Sequence, residues 1–468
     1  MSESHPSLYA SHKKIYPKYQ HGRWRTIKWF LLWLSLGIYY LGPFLRWDRG
    51  PNAPDQAILW DLPARKFYLF DLIIWPQEIY LLTFLLIISA LALFFVTVLA
   101  GRVFCGYFCF QTVWTDLFIW VEKIVEGDRT RRMNLDQAPW SAAKLWKKSL
   151  KHLLWILISV ATGGAFVFYF ADAPTLWGQF LSLDAPNAAW ITVGLLTVTT
   201  YTMAGFAREQ VCIYMCPYAR FQGAMFDQDT LIVAYNEERG EPRESSRRVR
   251  ESASKVGHCI DCGECVRVCP TGIDIRDGQQ YQCITCAACI DACNEVMDKA
   301  KLPRGLVSYT SLHSLRGEPV RWLRPAVIIY GGLMLAAVGA LVYTLNHRSL
   351  VELNVIRNRT PVYIQQSDGS IQNNYTVRVL NMSDRVHHYV LTLKGLKDAR
   401  LSVAAVKEAD AAGQPILTVG PGDVIPYTLY VTQPYASLEG GAAPVEFTLV
   451  SQDPEGGEDH YESVFLRP

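Results

Sequence analysis

The chain has 468 residues, half of them hydrophobic and 12% aromatic, and its 45 Lys and Arg against 43 Asp and Glu leave a formal net charge of +2. That balance excludes an intrinsically disordered chain and gives no basic footprint for nucleic acid. The length allows on the order of two to four domains, and no cysteine lies beyond Cys293, so the tail has no disulfide framework.

Residues 1–28 form a basic segment (Lys13, Lys14, Lys18, Arg23, Arg25, Lys28) that leads into an apolar run, Trp29–Leu45. A cleaved signal peptide also begins basic and then apolar. The following Arg46-Trp47-Asp48-Arg49-Gly50-Pro51 lacks a small-x-small cleavage pattern, so a retained first span is predicted. Further runs without Asp, Glu, Lys or Arg occupy 79–100, 153–170, 188–206 and 325–345. Each is close to the length a helix needs to cross hydrocarbon, and Trp and Tyr sit near several ends as interfacial anchors do. Buried soluble helices are the alternative, and five such runs in one chain argue against them. Four spans thus define a membrane domain over 29–236, with the lipid membrane as an obligate partner.

Lys and Arg in the loops set orientation. The segment Arg102–Lys151 is rich in both, whereas Ala171–Asn187 has neither. With the N-terminus inside, five spans leave the basic loop inside and the C-terminal tail outside. The apolar stretch 103–125 would invert that arrangement if it crossed, so it is predicted to be re-entrant or interfacial.

Two cysteine pairs follow the second and fourth spans: Cys105-Gly-Tyr-Phe-Cys109 and Cys212-Ile-Tyr-Met-Cys216-Pro217. Positions i and i+4 share one helix face, so each pair could offer two sulfurs to one centre. Thiolates select soft ions such as Cu(I), and Met215 adds a thioether. Buried packing by small hydrophobes is the alternative reading of four free cysteines. Haem is disfavoured, because His152, His258 and His347 are expected outside the spans.

Residues 237–255 mix both charge signs and read as a solvated linker. The segment 256–300 carries the densest signal in the chain: Cys259-x2-Cys262-x2-Cys265-x3-Cys269-Pro270, then Cys283-x2-Cys286-x2-Cys289-x3-Cys293. Each half is the bacterial ferredoxin run, in which the fourth Cys ligates the other cluster. One [4Fe–4S] cluster should take Cys259, Cys262, Cys265 and Cys293, and a second Cys283, Cys286, Cys289 and Cys269. Zinc also binds paired C-x2-C groups, but it has no use for the third step or the crossed fourth Cys. Two neighbouring clusters move single electrons and point to a reducing compartment. Beyond the fifth span, 351–468 alternates apolar and polar residues in short segments such as Tyr375–Leu380 and Val424–Thr432. Turn signals at Ser367-Asp368-Gly369 and Gly456-Gly457 separate such segments, as in an Ig-like sandwich. The predicted fold class is therefore a five-span α-helical membrane protein with an inserted dicluster ferredoxin domain and a C-terminal all-β Ig-like sandwich.

From about Phe67 onward the chain resembles the CcoG (RdxA/FixG) family of membrane proteins, accessory to assembly of cbb3-type cytochrome c oxidase. The resemblance rests on Gly101-Arg-Val-Phe-Cys-Gly-Tyr-Phe-Cys109, Met225-Phe-Asp-Gln-Asp-Thr-Leu231 and Arg239-Gly-Glu-Pro-Arg243. It rests equally on His258-Cys-Ile-Asp-Cys-Gly-Glu-Cys265 and Cys286-Ala-Ala-Cys-Ile-Asp-Ala-Cys293. It implies residence in the bacterial inner membrane, a cytoplasmic dicluster domain, a periplasmic Ig-like domain and reduction of Cu(II) to Cu(I). The implied partners are a cytoplasmic electron donor, copper-handling proteins and oxidase assembly factors or subunits. Copper would be held by Cys105, Cys109, Cys212 and Cys216. Phe110 departs from the family, whose first pair is usually followed by Pro, and this puts the local helix start in question. An electron-transfer subunit of a quinol-linked reductase complex and a scaffold with structural clusters are the alternative functions.

Overall fold

The computed structural model describes residues 14–50, 53–244, 257–383, 385–406, 408–434, 437, 441–453 and 456–467. Among these, five helices are long and apolar enough to cross a membrane: Arg23–Phe44, Pro76–Ala100, Ala142–Val167, Asn187–Ala207 and Pro325–Asn346. The chain divides into two compact units, 1–46 with 56–339 and 47–55 with 340–468.

In the first unit, α1 (Arg23–Leu41) starts ahead of the predicted Trp29. Its opening turn is basic, and a carboxylate from the cysteine-rich domain stabilises it, as described below. Before it, residues 14–22 of the basic segment run as a strap against the cysteine-rich domain. Lys18 N–H donates to the Arg267 carbonyl at 2.8 Å, and its ammonium pairs with Glu264 at 2.7 Å. A three-strand meander, β1 (Ile58–Asp61), β2 (Lys66–Leu69) and β3 (Leu72–Ile74), precedes α2 (Ile79–Ala100). Gly101 (φ +59) ends α2, where an added Cβ would meet the Leu231 carbonyl oxygen at 3.0 Å.

The stretch 103–125 does not form one helix. It breaks into α3 (Val103–Tyr107) and α4 (Phe110–Glu126), neither of them among the five candidate spans. The face of α4 that packs on α1 and α6 (Ala142–Val167) carries acids. Asp116 pairs with Lys28 at 2.6 Å, and Glu122 with Arg132 at 2.9 Å and Arg208 at 2.7 Å. Asp128 precedes α5 (Arg129–Gln137), whose Asp136 bonds Lys148 at 2.5 Å. These acids explain a difference from expectation. Lys144, Lys147, Lys148, Lys151 and His152 belong to the first turns of α6, not to a loop. Ser141 caps that helix by accepting the Lys144 N–H at 3.2 Å. Lys148 and Lys151 reach Glu126 at 2.8 and 3.1 Å, so their charge is neutralised where the helix leaves the polar zone. His152 therefore lies inside a candidate span, its Nδ1 3.0 Å from the Tyr201 hydroxyl.

After α7 (Ala173–Leu181), α8 (Asn187–Thr202) passes into π-helical turns at Met203–Ala207 and Val211–Met215, followed by α9 (Pro217–Met225). The cysteine-rich domain is inserted next. β4 (Ile232–Tyr235) enters it and pairs antiparallel with β5 (Val307–Thr310), which leaves it. Between them lie a helical turn at Glu264–Arg267 and α10 (Ala288–Ala300). Val233, Ile275, Ile290, Met297 and Leu306 form its apolar core. Of the predicted linker, 237–244 begins as a turn capped by Asn236, and 245–255 lies outside the described residues. The last span is α11 (Pro325–Asn346).

The second unit holds the all-β domain. One sheet runs β10 (Arg400–Val403), β12 (Val424–Gln433), β8 (Ile371–Asn381), β6 (Val351–Arg357), with β7 (Ile364–Gln365) on β8. The other runs β11 (Ile416–Val419), β9 (His387–Lys394), β13 (Ala442–Ser451), β14 (Glu458–Leu466). Alternate residues of β8, Ile371, Tyr375, Val377 and Val379, are fully buried, as period-2 alternation requires. Tyr375 meets Phe447 of the opposite sheet edge-on at 5.1 Å, so an apolar core without a cysteine pair joins the sheets. The predicted turn glycines Gly369 and Gly457 are left-handed, φ +83 and +72.

Candidate functional site

The eight cysteines of the two runs surround two adjoining hollows. Cys259, Cys262, Cys265 and Cys293 line one, beside Tyr235 and Arg276. Cys269, Cys283, Cys286 and Cys289 line the other, and Cys265 also touches its wall. The fourth Cys of each run thus reaches the hollow built by the other run.

The backbone repeats as the sequence does. In the first run Asp261 and Gly263 are left-handed (φ +49 and +66), and in the second Thr285 and Ala287 match them (φ +51 and +60). Each second left-handed residue opens a helical turn, so successive N–H groups curl into a nest suited to anionic sulfur. Ala287 accepts this conformation without glycine's freedom, a local strain held by the surrounding fold.

Burial pushes the Cys265 thiol up to about 11 and those of Cys283 and Cys293 up to about 12. Neutral thiols are what such sites hold until a positive centre compensates the thiolates, a part that iron would play. Among the described residues no three His, Cys, Asp or Glu side chains converge closely enough for a single ion. Four sulfurs spread around a hollow suit the corners of a cubane better than one tetrahedral zinc. The donor set therefore fits [4Fe–4S] clusters, which supply single-electron transfer when bound.

The four remaining cysteines lie within interaction range of one another, and among the described residues no three of them converge closely enough for a single ion. Cys212 lies within electrostatic reach of Cys105, Cys109 and Cys216, and Cys109 of Cys216. The predicted common helix face is not what joins each pair. Cys105 is in α3, but Cys109 is extended (φ −60, ψ 128) and immediately precedes α4. Cys216 is likewise extended (φ −82, ψ 110) before α9. At Cys216 the cause is Pro217, which disfavours a helical residue before it. Phe110 serves as well as Pro in the first pair, because the helix there starts at the same position relative to the thiol. Burial raises Cys105 and Cys109, and pushes Cys212 up to about 12.

Side chains other than cysteine also shape this site. Cys105 Sγ donates to Gln222 Oε1 at 3.4 Å, and Arg102 Nε donates to the same oxygen at 2.9 Å. Arg102 also donates to the Tyr281 carbonyl, two residues before Cys283. Tyr107 OH donates to the Cys286 carbonyl at 3.5 Å. Gln222 is distant in sequence from Cys105, so nothing local announced it; Arg102 and Tyr107 flank that cysteine.

A polytopic chain whose inserted domain arranges eight thiols around two hollows is a membrane-bound iron–sulfur electron-transfer protein. Residues 207–312 match the family described as a 4Fe-4S dicluster domain, residues 341–468 the Ig-like fold at the C-terminus of FixG, and residues 82–126 a 4Fe-4S binding domain. The chain is 45% identical to the nitrogen fixation protein FixG of Rhizobium meliloti (strain 1021), over 98% of this chain and 94% of that one. It is also 45% identical to protein RdxA of Cereibacter sphaeroides over 96% of both chains, and to RdxB of the same organism over 98% and 97%. The chain belongs to the FixG/RdxA family.

Proposed function

We propose that this protein reduces Cu(II) to Cu(I) for the copper site of a cbb3-type oxidase, with Cys105, Cys109, Cys212 and Cys216 receiving the copper. The observation that supports this most is the clustering of four soft donors beside the dicluster domain, where an electron can arrive. A low-potential cytoplasmic one-electron donor supplies one electron per copper ion, and the only protons that leave are those the thiols give up on ligating copper. The four thiols are neighbours, not a closed shell, so copper binding draws them together and releases their protons. Copper is substrate here. Thiolate ligation favours the cuprous product.

The eight ferredoxin cysteines are proposed to bind two [4Fe–4S] clusters in the crossed sets given above. Their nests orient the thiolates. Sidedness follows from the basic ends of the helices: cytoplasmic clusters and a periplasmic Ig-like domain in an inner membrane protein. A periplasm-active reporter fused after Pro468 should be active, and one within Glu237–Lys255 silent. The opposite pair of results removes this topology.

The test of the activity is anaerobic titration of purified, donor-reduced protein with Cu(II), scored with a Cu(I)-specific chelator. Stoichiometric Cu(I) supports the proposal, and copper that stays oxidised beside reduced clusters sinks it. A second reading has its own support: the 4Fe-4S match over 82–126 contains Cys105 and Cys109 but none of the eight ferredoxin cysteines. On that reading the four thiols hold a third cluster, and iron per chain separates the two.

A further inference from the structure

The two hollows stand differently towards the membrane-side thiols. Gly106 and Tyr107 of α3 meet the inserted domain on the loop that carries Cys283 and Cys286. Gly106, between Cys105 and Cys109, packs backbone to backbone there: an added Cβ would stand 2.6 Å from the Ile284 carbonyl oxygen and 3.2 Å from Cys286 N and Cα. Tyr107 reaches the Cys286 carbonyl, and the Tyr309 hydroxyl lies 3.4 Å from that of Tyr107 while donating to the Thr285 carbonyl. Arg102 ties the same loop, at the Tyr281 carbonyl, to Gln222, the partner of Cys105. Cys286 also faces a cavity shared with Arg25, Lys28 and Asp116 of the membrane domain. Both hollows are lined by the inserted domain, but Ile284 and Cys286, which meet α3, line the second; the first is lined by Cys259, Cys262, Cys293, Tyr235 and Arg276 among others, none of them in these contacts.

We infer that the set Cys269, Cys283, Cys286 and Cys289 is the delivering end of the electron path, and Cys259, Cys262, Cys265 and Cys293 the receiving end. Gly106 is the positioning residue that fixes the gap. This deepens the proposed function, since it rests on the crossed ligand sets and on the four thiols as the destination. Electron tunnelling falls exponentially with distance, so the loop in backbone contact with α3 hands on faster than one a hollow further away. One electron leaves the donor, and one arrives to convert Cu(II) to Cu(I). Gly106 permits this approach because any side chain would force the Ile284 carbonyl away and shift the Cys286 backbone by a few tenths of an ångström.

The test can be made without copper. In full-length protein carrying Cys105→Ser, Cys109→Ser and Cys212→Ser, a nitroxide is attached to Cys216, and its relaxation is measured with the clusters reduced. Cys262→Ser, which impairs the first set, should leave the enhancement nearly intact. Cys283→Ser, which impairs the second, should reduce it several-fold. Equal losses, or the reverse order, overturn the assignment. Where a serine variant loses all its iron, Arg276→Gln keeps every ligand and shifts the potential of the first set alone, so distances recorded at successive potentials make the same distinction. Gly106→Ala should weaken the enhancement further while iron per chain stays constant; an unchanged signal overturns the role given to Gly106. Because none of these signals depends on copper, they stand or fall separately from the cupric reductase reading.

Discussion

The carboxylate of Asp291 accepts the backbone N–H of Arg25 at 2.8 Å, with that of Trp24 at 3.3 Å beside it. A residue of the second cysteine run thus caps the first membrane helix from outside its own segment. The cap also places a negative charge on the positive end of the helix.

Asp291→Ala should cost about 1 kcal/mol of local stability, the usual magnitude of a lost N-cap. Its readout is faster proteolysis of the strap at 14–22 with unchanged iron content. Asp291→Asn keeps an acceptor and should restore much of the protection. Equal cleavage in all three proteins would deny the cap any role in docking the domain.

Replacing any one of Cys105, Cys109, Cys212 and Cys216 by Ser should abolish Cu(II) reduction per unit of cluster absorbance, with iron held at about eight atoms per chain. A hydroxyl ligates Cu(I) far less well than a thiolate at nearly the same volume. A packing role alone would cost about 1–3 kcal/mol for the buried hydroxyl, lowering yield while leaving the ratio unchanged. Wild-type protein with about twelve iron atoms, falling by a third in these variants, would assign a third cluster instead.

Cys269→Ser should perturb the cluster of Cys283, Cys286 and Cys289 and spare the one its own run begins. Spectra in which the first cluster is lost and the second intact would overturn the crossed sets. The prediction follows from the spacing of the two runs and from the place of Cys269 on the second hollow.

Glu122 is 2% exposed and ringed by Arg208, Arg132 and Lys151. Glu122→Gln should destabilise the fold by about 3–5 kcal/mol, because it leaves buried guanidinium groups uncompensated. Burial alone would raise its carboxyl, but Arg208, then Arg132 and Lys151, hold it below the usual carboxylate range. A depressed folded value means the stabilisation is complete above the unfolded carboxylate range and is lost as pH falls through the folded one. Thermal midpoints should therefore drop on acidification in the wild type, and less in the Gln variant. Parallel pH profiles would remove Glu122 from the acid transition.

Much of this architecture was legible in the chain. The eight cysteines announce their chemistry by spacing, because three thiolates on one cubane face need short, fixed steps. The spans announce themselves by length without charge. Less legible was whatever depends on partners far away in sequence. Lys148 and Lys151 read as loop residues until Glu126 is seen beside them. The helix breaks at Cys109 and Cys216 hide inside an i, i+4 spacing that a continuous helix would share, and only Pro217 hints at one of them. β4 and β5 are four residues each and distant in the chain, so neither shows a period long enough to read.

That pairing of Ile232–Tyr235 with Val307–Thr310 orders events during synthesis. Every ferredoxin cysteine lies between the two strands, so the clasp cannot shut until the ribosome has released all eight. The insert's two ends then emerge side by side, ready for the final span to follow.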